Sequence, residues 1–223
     1  MQNISYWLDL AFIVVTGISL AFFFKATQNS LNVLLVLLAW LILQSVLGLS
    51  GFYLNTQVIP PRFSFLLLPT LVLMAVLFST TSGKKFLDSL QPDWLILLHV
   101  VRIPVELVLF FLFTYHAVPE LMTFEGRNFD ILSGITAPLI WYFGVKKKVI
   151  SQKIILWWNI VCLGLLFNIV GNAILAAPSP FQMQAFDQPN VAVLYFPYLW
   201  LPCLVVPMVL FSHLAMIRRL TRQ

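Results

Sequence analysis

The residues best equipped for chemistry stand together in one apolar stretch, His99-Val-Val-Arg102-Ile-Pro104-Val-Glu106. Positions 99, 102 and 106 follow i, i+3, i+7 spacing, so on a helix they share one face. Arg102 and Glu106 are four residues apart, close enough to form an ion pair along that helix. Pro104 between them lacks a backbone N–H and frees a carbonyl, a further acceptor for Arg102. Such a face predicts a binding or proton-handling site. Arg102 would take an anionic moiety, Glu106 a proton or a cationic group, and His99 would tune or relay protons. The plainer alternative is a buried pair that only sets helix register.

Other groups extend this pattern. Asn168 and Asn172, interleaved with Gly164 and Gly171, make a small polar face. Amides there either bond neighbouring helices or supply hydrogen bonds to a ligand opposite Arg102 and Glu106. His116, Glu120, Glu125, Arg127, Asn128 and Asp130 cluster around one loop and predict the outer mouth of a site, with Arg127 and Asp130 spaced to pair. His99 and His213 each sit near the same end of their segments. Two facing histidines at equal depth are what haem ligation requires, so that option stays open beside ordinary hydrogen-bonded histidines. No metal-ligand spacing exists, and Cys162 and Cys203 lie singly in apolar segments. No cofactor or metal is therefore expected.

Gly48-Leu49-Ser50-Gly51 resembles the GxSG serine motif of rhomboid intramembrane proteases, with His116 two segments later. The resemblance implies a Ser50–His116 dyad. It covers four residues, and Ser50 here ends a helix instead of beginning one. Small residues for close helix packing explain the motif better.

The elements that must position these residues follow from composition. Of 223 residues 61% are hydrophobic and 9% charged, against roughly 25% charged in soluble domains. Water cannot accommodate so apolar a surface, whereas a bilayer can. Seven apolar segments, 6–24, 31–54, 63–82, 94–116, 126–145, 154–177 and 193–217, each approach the ~20 residues needed to cross a ~30 Å hydrocarbon core. The breaks are too short to hold a folded domain, so residues 1–223 are expected to form a single polytopic membrane domain. The fifth segment is short, and spanning predicts that its helix extends back through 126–130. Pro197, Pro202 and Pro207 predict a kinked last helix.

Orientation follows from the cations. Lys25, Lys84, Lys85, Lys146, Lys147, Lys148, Lys153, Arg218, Arg219 and Arg222 fall on one side if the segments alternate, and only Arg62 and Arg127 on the other. That asymmetry predicts a cytoplasmic C-terminus and an outside N-terminus. Asn3-Ile4-Ser5, a glycosylation sequon, would then lie outside. The net charge of +5 is thus a topology signal, and nucleic acid is not expected as a partner.

Together these features predict an all-α integral membrane protein of about seven transmembrane helices in the cell membrane (plasma or inner), with lipid and a small-molecule or lipid-like ligand as partners. The leading functional expectation is binding or transport of a small polar or amphiphilic solute through His99, Arg102, Glu106, Asn168 and Asn172. The alternatives are an integral membrane enzyme working on a lipid-like substrate at the outer interface, and a membrane sensor or assembly factor. Oligomeric state is not predicted.

Overall fold

The structure is a computed structural model that describes residues 4–222; Asn3 of the sequon lies outside them. All regular structure among these residues is helical. A chain in hydrocarbon must pair its backbone polar groups internally, and apolar runs of this length do so as helices.

The chain opens with α1 (Tyr6–Ala26) and α2 (Leu31–Leu49). On α2 only Leu41 and Gln44 are buried, while Leu35, Ile42, Val46 and Leu49 are exposed. α2 therefore offers nearly its whole circumference to lipid. Its end carries the Gly48-Leu-Ser-Gly51 sequence. A side chain on Gly48 would run into Leu199, and Ser50 donates only to the carbonyl of Leu47 at 2.8 Å. This is close packing, with His116 engaged elsewhere.

The third segment departs from expectation. α3 (Ser64–Ser79) stops short, and Thr80 turns extended at ψ 152° to cap a second helix, α4 (Thr81–Ser89). The Thr80 Oγ1 accepts from the Gly83 amide at 3.1 Å, a standard N-terminal cap. α4 leaves α3 at 94°. Its Gly83 and Leu87 are buried while Lys85 and Asp88 are exposed. The stretch predicted as a polar break is therefore mostly an amphipathic helix folded against the bundle.

Next comes a continuous run, Pro92–Thr114, made of α5 (Pro92–Leu97), a tight 3₁₀ turn (Leu98–Val101) and α6 (Arg102–Thr114). α7 (Ile131–Leu139) continues as a π-helix over Ile140–Lys146. It does not extend back through 126–130. Asn128 Oδ1 accepts from the Asp130 amide at 3.1 Å, a local turn that competes with helix. Asp130 then stands at the N-terminal boundary of α7, with no side-chain capping bond. α8 (Gln152–Ala176) has 25 residues, about 38 Å at ~1.5 Å each.

The last helix runs over Leu201–Leu220. It starts as a π-turn (Leu201–Val205) and continues as α9 (Val206–Leu220). The residues from 193 to 200 are not part of it. Pro197 precedes the helix, Pro202 lies within the π-turn, and Pro207 stands where the π-turn passes into α9. The three prolines thus cluster around the start of this helix and its π-to-α junction.

Five helices, α1, α2, Pro92–Thr114, α8 and Leu201–Leu220, are long and apolar enough to cross a membrane; the bent pair α3 and α4 makes a sixth candidate, and Ile131–Lys146 is a shorter apolar helix. Pro92–Thr114 and Leu201–Leu220 are the most buried of the five and form the centre. Ser212 Oγ ties α9 to α5 by donating to the Leu95 carbonyl at 2.6 Å. α7 crosses the 3₁₀ turn at Gly134, where a Cβ would come within 2.8 Å of Ile103 and 3.2 Å of the His99 carbonyl. Glycine there is what allows α7 to close on the central helix.

One end of the bundle gathers the last turns of α1, α4 and α9. Gln28 donates to the Ser89 carbonyl at 2.5 Å, Arg219 to the Leu90 carbonyl at 3.0 Å, and Arg218 pairs with Asp88 at 3.1 Å. The opposite end joins loops: Gln188 donates to the Val118 carbonyl at 2.6 Å, and the Asn190 amide to Ala176 at 2.9 Å.

Candidate functional site

His99, Arg102 and Glu106 are 0%, 3% and 2% exposed, so the one charged face of the central run points inward. Charges buried at this depth cost at least roughly 2.5–3.5 kcal/mol each unless partnered. Their partners come from three other elements.

Arg102 does not pair with Glu106. Its Nη1 lies 3.1 Å from Asp130 Oδ1, across the interface with α7, and its Nη2 lies 3.1 Å from Nε2 of His213 on α9. A guanidinium only donates, so Nε2 accepts and the proton of His213 sits on Nδ1. Nδ1 then donates to Asn159 Oδ1 on α8 at 2.9 Å. Asn159 is oriented for this role because its amide nitrogen donates to the Ile155 carbonyl at 2.9 Å. The chain Asn159–His213–Arg102–Asp130 therefore links α8, α9, α6 and the start of α7, by hydrogen bonds as far as Arg102 and by an ion pair from Arg102 to Asp130.

Glu106 is held differently. One carboxylate oxygen accepts from Asn128 Nδ2, and Oε2 has no partner. Asn128 also donates to the Met122 carbonyl at 3.0 Å. Its single side chain thus stitches the 122–130 loop to the central helix. Irregular backbone at membrane depth is tolerated where protein buries it, and Asn128 and Asp130 are 1% and 6% exposed. These two residues, predicted for the outer mouth, belong to the central network.

His99 stacks on His213 with ring centroids 3.9 Å apart and 18° between planes, and Trp158 packs edge-on at 5.5 Å. Neither ring nitrogen of His99 has a hydrogen-bond partner. The two histidines do lie together, but stacked face to face.

The remaining sequence candidates lie elsewhere. Asn168 donates to the Arg127 carbonyl at 2.9 Å, and Asn172 to the Asn168 carbonyl at 2.9 Å. They fasten α8 to the 122–130 loop and do not bond Arg102 or Glu106; the α8 amide that does reach the network is Asn159. His116 takes a positive φ of 56° just past α6, and its Nδ1 lies 3.0 Å from Gln188 Oε1. Glu120, Glu125 and Arg127 are exposed. Arg127 makes no ion pair with Asp130, whose charge is met by Arg102. Among the described residues no group of three His, Cys, Asp or Glu side chains is placed to hold a metal ion.

Two cavities flank this centre. One, about 360 Å³, lies between α3, α6, α8 and the last helix on the side of the Asn128 loop. Its walls are apolar, among them Leu66, Leu109, Leu166 and Ile169, and Glu106, Asn128, Asp130 and Asn190 supply its polar groups. Arg102 is not in the lining. The other, about 560 Å³, lies between α2, α3 and the last helix, is walled by Phe23, Trp40, Met74 and Phe211, and has Asn32 and Thr70 as its polar side chains.

Asn159, Asn190 and the His213–Arg102 bond are parts of the site that the sequence reading misses. The one signal for them is an isolated amide at 159 within an apolar run, a costly placement that requires a partner. No curated protein and no solved structure matches the chain. Residues 60–221, which carry α3 to α9 and the whole buried network, match the family described as Domain of unknown function (DUF8737), and the chain belongs to that family.

Proposed function

We propose that this chain is a single polytopic membrane domain that binds, and through binding moves, a small amphiphilic solute in the 360 Å³ cavity beside Glu106. The observation that carries this reading is the make-up of that cavity: apolar walls, a buried carboxylate, and a carboxylate oxygen without a partner. Ligand sites are typically apolar concavities of about 300–1,000 Å³ with a few placed polar groups. Buried polar atoms are normally satisfied, so an open one in a cavity suits a ligand. Arg102 is occupied by Asp130 and His213, and its role is to hold the network; the solute meets Glu106, Asn128 and Asp130.

Seven crossings fit this reading, the bent α3 and the short Ile131–Lys146 included, with the Lys-rich end in the cytoplasm and the N-terminus outside. The 360 Å³ cavity then faces the outer leaflet. Cysteine labelling in cells tests the topology, because both native cysteines are buried: an impermeant maleimide should modify Glu125→Cys and spare Lys85→Cys.

Native mass spectrometry of protein released from nanodiscs tests the binding. Wild-type protein should retain an amphiphile mass beyond the bilayer lipid, and Ala173→Trp, which fills the cavity wall, should lose it. Identical spectra for the two proteins would sink the reading.

A further inference from the structure

Two acceptors in the 360 Å³ cavity stand open. Glu106 Oε2 and Asn190 Oδ1 both belong to residues that line it, and both atoms are buried without a hydrogen-bond partner. The orientation of Asn190 is not arbitrary. Its Nδ2 donates to the Ala173 carbonyl at 3.3 Å, so the open atom is the oxygen. The side-chain donors of Asn128 and Ser64 in the same lining are engaged. Asn128 Nδ2 serves Glu106 and the Met122 carbonyl, and the Ser64 hydroxyl donates to the Pro61 carbonyl at 2.6 Å.

Charge points the same way. The Arg102 guanidinium is matched by Asp130 at 3.1 Å. Glu106 has no cation within ion-pair distance among the described residues. The lining therefore carries one more acidic group than the network neutralises. A buried carboxylate is stabilised by an opposite charge that also hydrogen-bonds to it. An alkyl carboxylate or phosphate head would add negative charge and bring no donor.

We propose that the ligand of this cavity is a cationic single-chain amphiphile: an alkyl ammonium whose N–H groups bond Glu106 and Asn190 while its chain lies along Leu66, Leu109 and Ile169. This rests on the binding reading above and adds the chemistry of the head group.

The test uses purified full-length protein in zwitterionic nanodiscs, with tritiated n-dodecylamine as the probe and protein-free nanodiscs as background. Unlabelled dodecylamine, dodecanol and dodecanoate compete. Dodecylamine should compete at about tenfold lower concentration than dodecanol, the difference between a charged and a neutral hydrogen bond, and dodecanoate should compete worst. Glu106→Gln keeps an oxygen for Asn128, so it should fold, as a monodisperse elution profile and an unchanged thermal midpoint would confirm. It should lose the preference for the amine, while Asn190→Leu weakens amine binding several-fold.

Dodecanol or dodecanoate competing as well as the amine would overturn the head-group inference. So would a folded Glu106→Gln that keeps the wild-type ranking. If all three compounds compete equally and Ala173→Trp abolishes binding, the cavity reading stands and the cationic head falls. If the probe shows no saturable binding to wild-type protein, the cationic head falls, and the retained mass in the native spectra decides the cavity reading separately.

Discussion

The cavity between α2, α3 and the last helix encloses about 560 Å³, and the one between α3, α6, α8 and the last helix about 360 Å³. Both are walled by aliphatic and aromatic side chains. In the larger, Thr70 returns its hydroxyl to the Leu67 carbonyl of its own helix at 2.7 Å. In the smaller, Glu106 and Asn190 keep open acceptors. The larger space is what helix packing leaves where α2 leans lightly on the bundle, and lipid chains suit it. The smaller carries polar groups whose burial costs free energy, and it is the one with chemistry to offer. Cavity size alone is a poor guide to function in a membrane, because apolar space is not scarce there.

The largest expected effect that separates the two regions is Arg102→Ala. It leaves Asp130 buried without its cation and His213 without its donor, so it should cost about 3–5 kcal/mol, read as a large drop in thermal midpoint in detergent. Arg102→Leu combined with Asp130→Leu should recover much of that loss, since an apolar pair replaces an ionic one. If the double variant is no better than the single, Arg102 has a role beyond its pairing with Asp130.

Asn159→Ala comes next. It strips the acceptor from His213 Nδ1 and should cost about 1–3 kcal/mol, with the 360 Å³ cavity still able to bind because Glu106 is untouched. A loss of binding with no loss of stability would mean that the Asn159–His213–Arg102 chain takes part in the function. Asp88→Asn, at the lysine-rich end, removes partly exposed pairs to Arg218 and Arg222 and should change stability by less than about 1 kcal/mol. Thr70→Val in the larger cavity and Glu125→Gln on the 122–130 loop should leave binding in the smaller cavity unchanged. A binding defect in either would erase the distinction between the regions.

Part of this site is legible in the amino-acid sequence. The face of His99, Arg102 and Glu106 follows from helical spacing, a local property of the backbone. That the face turns inward follows from the cost of charge in hydrocarbon. The partners are not legible in the same way. Arg102 and Glu106 have the right spacing to pair, yet Arg102 reaches Asp130 instead, because Asn128 turns its loop into the bundle and delivers both Asn128 and Asp130 to the centre. Asn159 and Asn168 are nine residues apart on α8, and nothing in their spacing says that the first meets His213 and the second the 122–130 loop. That choice lies in how α8 is rotated against α9.

The sequence by itself determined the helical class, most of the apolar segments and the shared face of His99, Arg102 and Glu106, since these depend on composition and on geometry within single helices. Only the tertiary structure decided that α3 bends by 94° into an amphipathic helix, that the last helix begins at Leu201, that His213 stacks on His99, and that Glu106 opens onto a cavity. Each of these depends on side-chain packing between segments far apart in the chain, where rotation about a helix axis by one residue, about 100°, exchanges one set of neighbours for another.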